Sequence, residues 1–376
     1  MNELQQELSK QLERFRNDKI EPFLEEDDRN ETFKFEIFNS LGELGFCGMT
    51  LPEEFGGAGL NYQDLSIALS EIAKSSVSYA ATISVSTMVQ AILNEYGTKD
   101  QKKKYLPELT SGKEIGAFCL SESSSGTDAA SLKTTAKKTE GGYVLNGSKM
   151  WITSGGIAKT YIVMARTGEV GHKGISAFIV TDGAKGFSYG KKESKMGWRV
   201  SPTRELVFDN CFVSEDNLLK EEGLGFKIAM SALDKGRITI GSIACGLSQR
   251  ALDEAVKYSL ERKQFDQAIF EFQGLQFMMA DMATELEASK LLVNQAALNY
   301  DNGTFDQKIA SMAKMKATDT AMRVSTDAVQ ILGGVGFTTE YPVERLMRDA
   351  KALQILEGTN QIQKVIIARA LRKEFD

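Results

Sequence analysis

Histidine is almost missing from this sequence: among 376 residues there is one, His172. Imidazole is the commonest general base and metal ligand, so its scarcity excludes Ser-His-Asp triads, Cys-His pairs and His-rich metal sites together. His172 itself lies in Gly171-His172-Lys173-Gly174, which reads as a turn. Acid–base chemistry is left to a carboxylate, a lysine or a tyrosine. The four cysteines, Cys47, Cys119, Cys211 and Cys245, are scattered without a CxxC pair. Neither a zinc site nor a disulfide framework is expected, no metal is expected, and a reducing compartment fits. No run of about 18 apolar residues occurs, and Met1 to Arg16 is polar and amphipathic without an apolar h-region. The expectation is a soluble, cytoplasmic chain with no membrane insertion. Positive charge is also short: the formal net charge is −6 and Lys102-Lys103-Lys104 is the only dense basic run, which argues against nucleic acid as a partner. The G-x-G-x-x-G of a Rossmann unit and the G-x-S-x-G nucleophile elbow are absent as well. Gly142 to Lys149 resembles a P-loop only superficially, because Ser148 separates Gly147 from the lysine.

What is present is enough chain for two or three domains, with the apolar content of a packed globular protein. Residues 1–113 are helical in period. Leu65, Ala68, Leu69 and Ile72 follow the i, i+3, i+4, i+7 rule of a buried stripe. Over 114–220 the composition shifts to Gly, Ser, Thr and short apolar runs such as Tyr161 to Ala165 and Ile175 to Val180, with Gly141-Gly142 placed as a hairpin turn. This segment reads as a small β domain, a barrel or a sandwich. Helical period returns over 221–376. Ile240, Ala244, Leu247, Ala251 and Ala255 form one stripe and Leu275, Met279, Met282 and Leu286 another, joined by turns such as Asp301-Asn302-Gly303. The fold class is α+β, mostly α, with an N-terminal helical domain, a central β domain and a C-terminal four-helix bundle.

Three segments carry candidate chemistry. Ser121-Glu122-Ser123-Ser124-Ser125-Gly126-Thr127-Asp128 closes the apolar run Phe118-Cys119-Leu120 and concentrates hydroxyl and backbone N–H donors that could solvate a phosphate or a ring edge. An ordinary Ser-rich loop would look the same. Lys149-Met150-Trp151-Ile152-Thr153 places one of only two tryptophans beside a hydroxyl at a strand end, a wall for a planar cofactor or simply core. In Ile355-Leu356-Glu357-Gly358-Thr359-Asn360-Gln361, a carboxylate follows apolar positions and precedes a glycine that can bend it into a cavity. Burial there would raise its pKa into the range useful for proton abstraction, although a helix-start glutamate fits the same letters.

In this order and spacing the segments resemble the acyl-CoA dehydrogenase family. Leu51-Pro52-Glu53-Glu54-Phe55-Gly56-Gly57, Glu261-Arg262-Lys263-Gln264-Phe265 and Gln330-Ile331-Leu332-Gly333-Gly334-Val335-Gly336 add to the match, which runs over nearly the whole chain. The resemblance implies FAD, a homotetramer, an acyl-CoA substrate and electron-transferring flavoprotein as the electron acceptor. It implies that Leu120, Ser121, Trp151 and Thr153 line the isoalloxazine ring, with Gly126 and Thr127 near the flavin or its pyrophosphate. Arg262, Phe265, Gln330 and Gly334 would hold the ADP half of a neighbouring subunit's FAD, and Thr359 and Gln361 would grip the cofactor from the catalytic loop. Glu357 would remove the α-proton, its backbone N–H and a ribityl hydroxyl would hold the enolate oxygen, and flavin N5 would take the β-hydride. Asp234, Arg237 and Gly358 would border the substrate.

One branch of the family carries its glutamate at the position of Gly236; glycine there points to the short- and medium-chain branch. Ser123, Thr127 and Asp266 depart from the family's usual Pro, Ser and Gly, and Asp266 sits oddly beside an expected diphosphate. An acyl-CoA oxidase, a dehydrogenase of carrier-protein thioesters and a non-catalytic relative stay open. Ser84 to Leu93 would line the far end of the acyl pocket, where Gln90 could shorten or polarise it.

Overall fold

The computed structural model describes residues 1–375. Helices α1 (Glu3–Phe15), α2 (Glu21–Asn30), α3 (Phe35–Glu43), α4 (Tyr62–Ala73), α5 (Val77–Tyr96) and α6 (Lys99–Thr110) come first. Three of them begin at capping boxes: Asn2, Asn61 and Thr98 each accept from the backbone N–H three residues on, and that residue's side chain returns the bond. On α4 the stripe Leu65, Ala68, Leu69 and Ile72 is buried, as its spacing predicts. By contrast α5 is buried on nearly all sides. It packs against both the β domain and the C-terminal bundle.

The central region holds β1 (Gly116–Cys119), β2 (Thr135–Thr139), β3 (Gly142–Thr153), β4 (Thr160–Arg166), β5 (Ile175–Thr181), β6 (Phe187–Lys192) and β7 (Thr203–Ser214). The expected barrel or sandwich takes the form of one continuous seven-stranded sheet, in order β1-β4-β2-β3-β7-β6 with β5 on β4. Strand β1 runs parallel to β4, whereas the β3–β7, β4–β5 and β6–β7 pairs are antiparallel. The β3–β7 ladder loses register between Lys149 and Ile152. Such a bulge re-aims side chains, and here it turns Trp151 to φ 58°.

Then come α7 (Gly225–Glu261), the two-stranded hairpin β8 (Lys263–Gln264) and β9 (Gln267–Ala268), α8 (Gln273–Asp301), α9 (Gln307–Leu332), α10 (Val343–Leu353) and α11 (Asn360–Phe375). The α7 stripe from Ile240 to Ala255 is buried, as are Met279, Met282 and Leu286 of α8. Facing α7, α9 buries Ala310, Ala313, Ala317 and Ala321. Small side chains on both helices let the backbones approach: a Cβ added at Gly241 would touch Val293 and lie near Ala313. Gln307 at the start of α9 donates to Asp234 of α7 and Ala313 lies near Gly241, so the two helices run side by side in the same direction, with their C-terminal ends at one end of the bundle. No helix among the described residues is long and apolar enough to cross a membrane.

Candidate active site

Glu357 lies between α10 and α11, three residues before the helix, on a left-handed turn: φ is 51° at Glu357 and 89° at Gly358. Only glycine takes such angles freely, so the strain at Glu357 must be offset by neighbours. They are visible. Lys314 Nζ of α9 donates to Gly358 O at 3.0 Å and to Asn360 Oδ1 at 2.9 Å, and Gln363 Nε2 donates to Gly358 O at 3.0 Å. Asn360 Nδ2 in turn donates to Thr318 Oγ1 and Asp319 Oδ1. The residue as a whole keeps some exposure, yet Oε2 is sealed from solvent and has no hydrogen-bond partner among the described residues. Burial pushes the carboxyl up to about 7, against the pull of Lys314 and Arg237. Thr359 caps α11, its Oγ1 accepting from Ile362 N–H at 3.3 Å, while Gln361 points outward, exposed.

The face opposite the carboxylate is α7. A Cβ at Gly236 would fall on Glu357 Oε2 and within 2.9 Å of Met88 Cε. The absence of a side chain at 236 is thus what makes room for the base. One residue on, buried Arg237 donates from Nη1 to Asp234 Oδ1 at 2.6 Å and leaves Nε unpaired. Farther along, Ser84 Oγ donates to Thr239 Oγ1 at 2.7 Å, joining α5 to α7. The expectation for Gln90 is not met. Its amide donates to the carbonyls of Cys47 and Leu109, and two residues of helical rotation turn it to the face of α5 away from Met88.

On the sheet side, Met150 N–H donates to Ser121 O at 2.9 Å, bringing the β1 end and the β3 bulge together. Trp151 is 53% exposed there, Gly126 and Thr127 of the loop are exposed, Thr153 is half-buried and Leu120 is buried. Leu120 shares one apolar cluster with Met88 and Ala232, which links this wall to the surroundings of Glu357. Sequence reasoning missed what holds the loop: Lys149 Nζ, wholly buried, donates to Leu120 O at 3.0 Å and to Glu122 Oε1 at 2.8 Å. Glu122 also accepts from the N–H groups of Lys133 and Thr134. Breaking a buried pair leaves an uncompensated charge, so Lys149→Met is expected to cost about 3–5 kcal/mol in chemical denaturation. A loss under about 1 kcal/mol would show the pair to be idle.

A second brace was equally hidden. The segment between β6 and β7 lays Trp198 on α10, with Trp198 N–H donating to Asp349 Oδ1 at 2.6 Å and Nε1–H to Asp349 O at 3.0 Å. Burial raises the Asp349 carboxyl to about 6. The sheet is thereby pinned to the helix that leads into Glu357.

Arg262, Phe265, Gln330 and Gly334 gather elsewhere, at the C-terminal ends of α7 and α9, and all are exposed. Phe265 and Asp266, at φ 52° and 62°, form the two-residue turn of the β8–β9 hairpin. That turn requires left-handed angles, which Asp tolerates better than most residues. Asp266 is accordingly a turn residue, exposed at the tip. Arg262 stands about 26 residues from Gly236 on one helix, about 39 Å away, beyond the reach of a dinucleotide bound at Trp151 and Glu357 of the same chain. The resemblance would set a neighbouring subunit's cofactor against these residues. Arg262→Ala is expected to weaken FAD retention about 10-fold to 100-fold, the worth of one charged hydrogen bond, in a fluorescence titration. Unchanged affinity would remove the inter-subunit assignment.

Three family models match in succession: the acyl-CoA dehydrogenase N-terminal domain over residues 2–113, the middle domain over 117–211 and the C-terminal domain over 223–372. The chain belongs to the acyl-CoA dehydrogenase family, which comprises flavoprotein oxidoreductases. Within it, this chain is 44% identical to the short-chain specific acyl-CoA dehydrogenase of Clostridium acetobutylicum, over 97% of each chain. It is 43% identical to the mitochondrial isobutyryl-CoA dehydrogenase of Dictyostelium discoideum, over 96% of this chain and 87% of that one. The structure of butyryl-CoA dehydrogenase from Megasphaera elsdenii superposes with a TM-score of 0.97 at 43% identity, covering 99% of this chain and 98% of the other.

Proposed function

We propose that this chain dehydrogenates a short or short-branched acyl-CoA to the trans-2-enoyl-CoA, with Glu357 removing the α-proton. The observation that carries the reading is the state of that carboxylate. Its Oε2 is buried and unpaired, its backbone is held in a left-handed turn, and the helix opposite carries no side chain where it points. A base poised near neutrality suits abstraction of a weakly acidic thioester α-proton. Glu357 N–H also donates to no acceptor among the described residues, which leaves it for the thioester carbonyl. A preorganised donor of that kind is worth roughly 3–4 kcal/mol as enolate charge develops.

The residues present suit FAD. The Trp151 edge, the donor-rich loop at Ser121 to Thr127 and the open space beside Gly126, where an added Cβ would meet nothing within 4 Å, would take its flavin and pyrophosphate. Arg262, Phe265, Gln330 and Gly334 of a neighbouring subunit would take its ADP half, and Thr359 and Gln361 would border it from the loop. Bound FAD supplies the acceptor for the β-hydride. A homotetramer and electron-transferring flavoprotein as the final acceptor belong to the same reading. Asp234, Arg237 and Gly358 would orient the thioester end, and the crowding of Met88 near Glu357 favours a short acyl group. The names of the relatives, short-chain specific, butyryl and isobutyryl, point the same way.

The test is a panel of acyl-CoA thioesters from butyryl to palmitoyl, with branched members, offered to FAD-loaded protein. The highest kcat/KM is expected at four or five carbons, roughly; a maximum at palmitoyl would overturn the short-chain assignment. With the preferred substrate, kcat/KM should climb with pH through about 7 and level off above, as Glu357 ionises. A profile flat from about pH 5.5 to about pH 8.5 would mean that another group is the base.

A further inference from the structure

Lys314 is wholly buried, although it sits among the alanines of α9. Taking an ammonium out of water costs several kcal/mol unless something needs it there. An apolar residue would fill the stripe of Ala310, Ala313, Ala317 and Ala321 without that cost. The hydrogen-bond partners of Lys314 are two neutral oxygens, Gly358 O and Asn360 Oδ1, and no carboxylate lies within ion-pair distance among the described residues. Its partners lie one and three residues after Glu357 in sequence, and burial lowers its own pKa to about 8, held up chiefly by Glu357.

We infer that Lys314 is the positioning residue of the base: its ammonium clamps the left-handed turn at Gly358 and supplies the unshared positive charge against which Glu357 ionises. The inference rests on Glu357 being the base. Every element around the carboxylate bears on it. From α7 comes Arg237, but its Nη1 is engaged by Asp234, and Lys235 is turned to Glu95 at 2.5 Å. From α9 come Lys314 and Asp319; Asp319 Oδ1 already accepts from Asn360 and Gln354. The near residue of α5, Met88, is uncharged, Asp349 of α10 is occupied by Trp198, and α11 offers the neutral Gln363. Lys314 is thus the one cation near the base whose charge is not shared with a bonded carboxylate among the described residues. It is also the larger of the two influences that lower the Glu357 pKa.

Two substitutions separate charge from volume: Lys314→Gln keeps a donor for Gly358 O, and Lys314→Met keeps the length. Each is combined with Glu357→Gln in FAD-loaded protein, and two readouts are followed. The first is the pH at which the thermal-stability gap between Glu357 and Glu357→Gln proteins levels off, which needs no turnover. The second is the midpoint of the kcat/KM profile. In the native background both should lie near about 7. In either Lys314 background both should rise by about one pH unit, so that activity at neutral pH falls roughly fivefold to tenfold and is regained in alkali. Lower activity with unmoved midpoints in whichever variant folds would reduce Lys314 to a structural prop. Normal turnover by Glu357→Gln alone would remove the base assignment, and this inference with it. Unmoved midpoints beside an inactive Glu357→Gln protein would remove this inference alone.

Discussion

Glu357→Gln is expected to lower kcat by about 10²-fold to 10⁴-fold while leaving FAD bound, since a positioned base contributes about that factor and nothing else nearby can replace it. Lys314 and Arg237 are cations, Asp234 is engaged by Arg237, and the single histidine, His172, sits in a surface turn of the β domain. The same substitution should stabilise the fold in alkali. The folded-state pKa, raised from 4.5 to about 7, means that the native protein binds the more protons between those values. Stability therefore falls as pH climbs from about 4.5 to about 7 and stays lower above it. Glutamine escapes that loss. At 1.36 kcal/mol per unit the gain at pH 8 has an upper limit of about 3 kcal/mol, and at pH 4 it should vanish. Denaturation curves of both proteins at the two pH values check it, and equal stability at both would contradict a buried, unpaired carboxylate.

The second large effect is expected at Gly236, where a single methyl group decides whether the base fits. In Gly236→Ala the new carbon would overlap Glu357 Oε2 and crowd Met88 Cε. Helix α7 packs closely on the alanine face of α9, so the carboxylate has to move. Misplacing a reacting group by about 1 Å costs on the order of 100-fold, and kcat should drop by at least that much with FAD retention unchanged. The same geometry makes a sharper statement. Because positions 236 and 357 converge on one point, Glu357→Gly combined with Gly236→Glu should recover part of the turnover that Glu357→Gly loses. No recovery, with substrate still bound, would mean that a carboxylate on α7 does not reach the α-proton.

Much of this was legible before the fold was known, for physical reasons that differ from place to place. The buried stripes of α4 and α7 could be read because helical period is local: Leu65 to Ile72 and Ile240 to Ala255 announce which face is inside. Glu357 could be read as a candidate from its apolar approach and its glycine, but its role came from the resemblance. The order of the sheet could not be read. The apolar run Tyr161 to Ala165 says strand, yet nothing local says that β4 lies between β1 and β2. Lys314 and Lys149 were hidden because lysine is normally a surface residue, and their partners are 44 and 27 positions away. A signal existed for Lys314: it interrupts a run of alanines at helical spacing. Gln90 misled because its place on the right helix says nothing about which way it faces. Asp266 looked misplaced only while the turn it occupies was unknown.

The central claim is that Glu357 takes the proton whose loss lets electrons reach the flavin, and anaerobic mixing of FAD-loaded protein with butyryl-CoA tests it most directly. Native protein should lose its yellow colour within a turnover, whereas Glu357→Gln, shown to bind the thioester equally well, should stay yellow. Bleaching of the variant at the native rate would contradict the account.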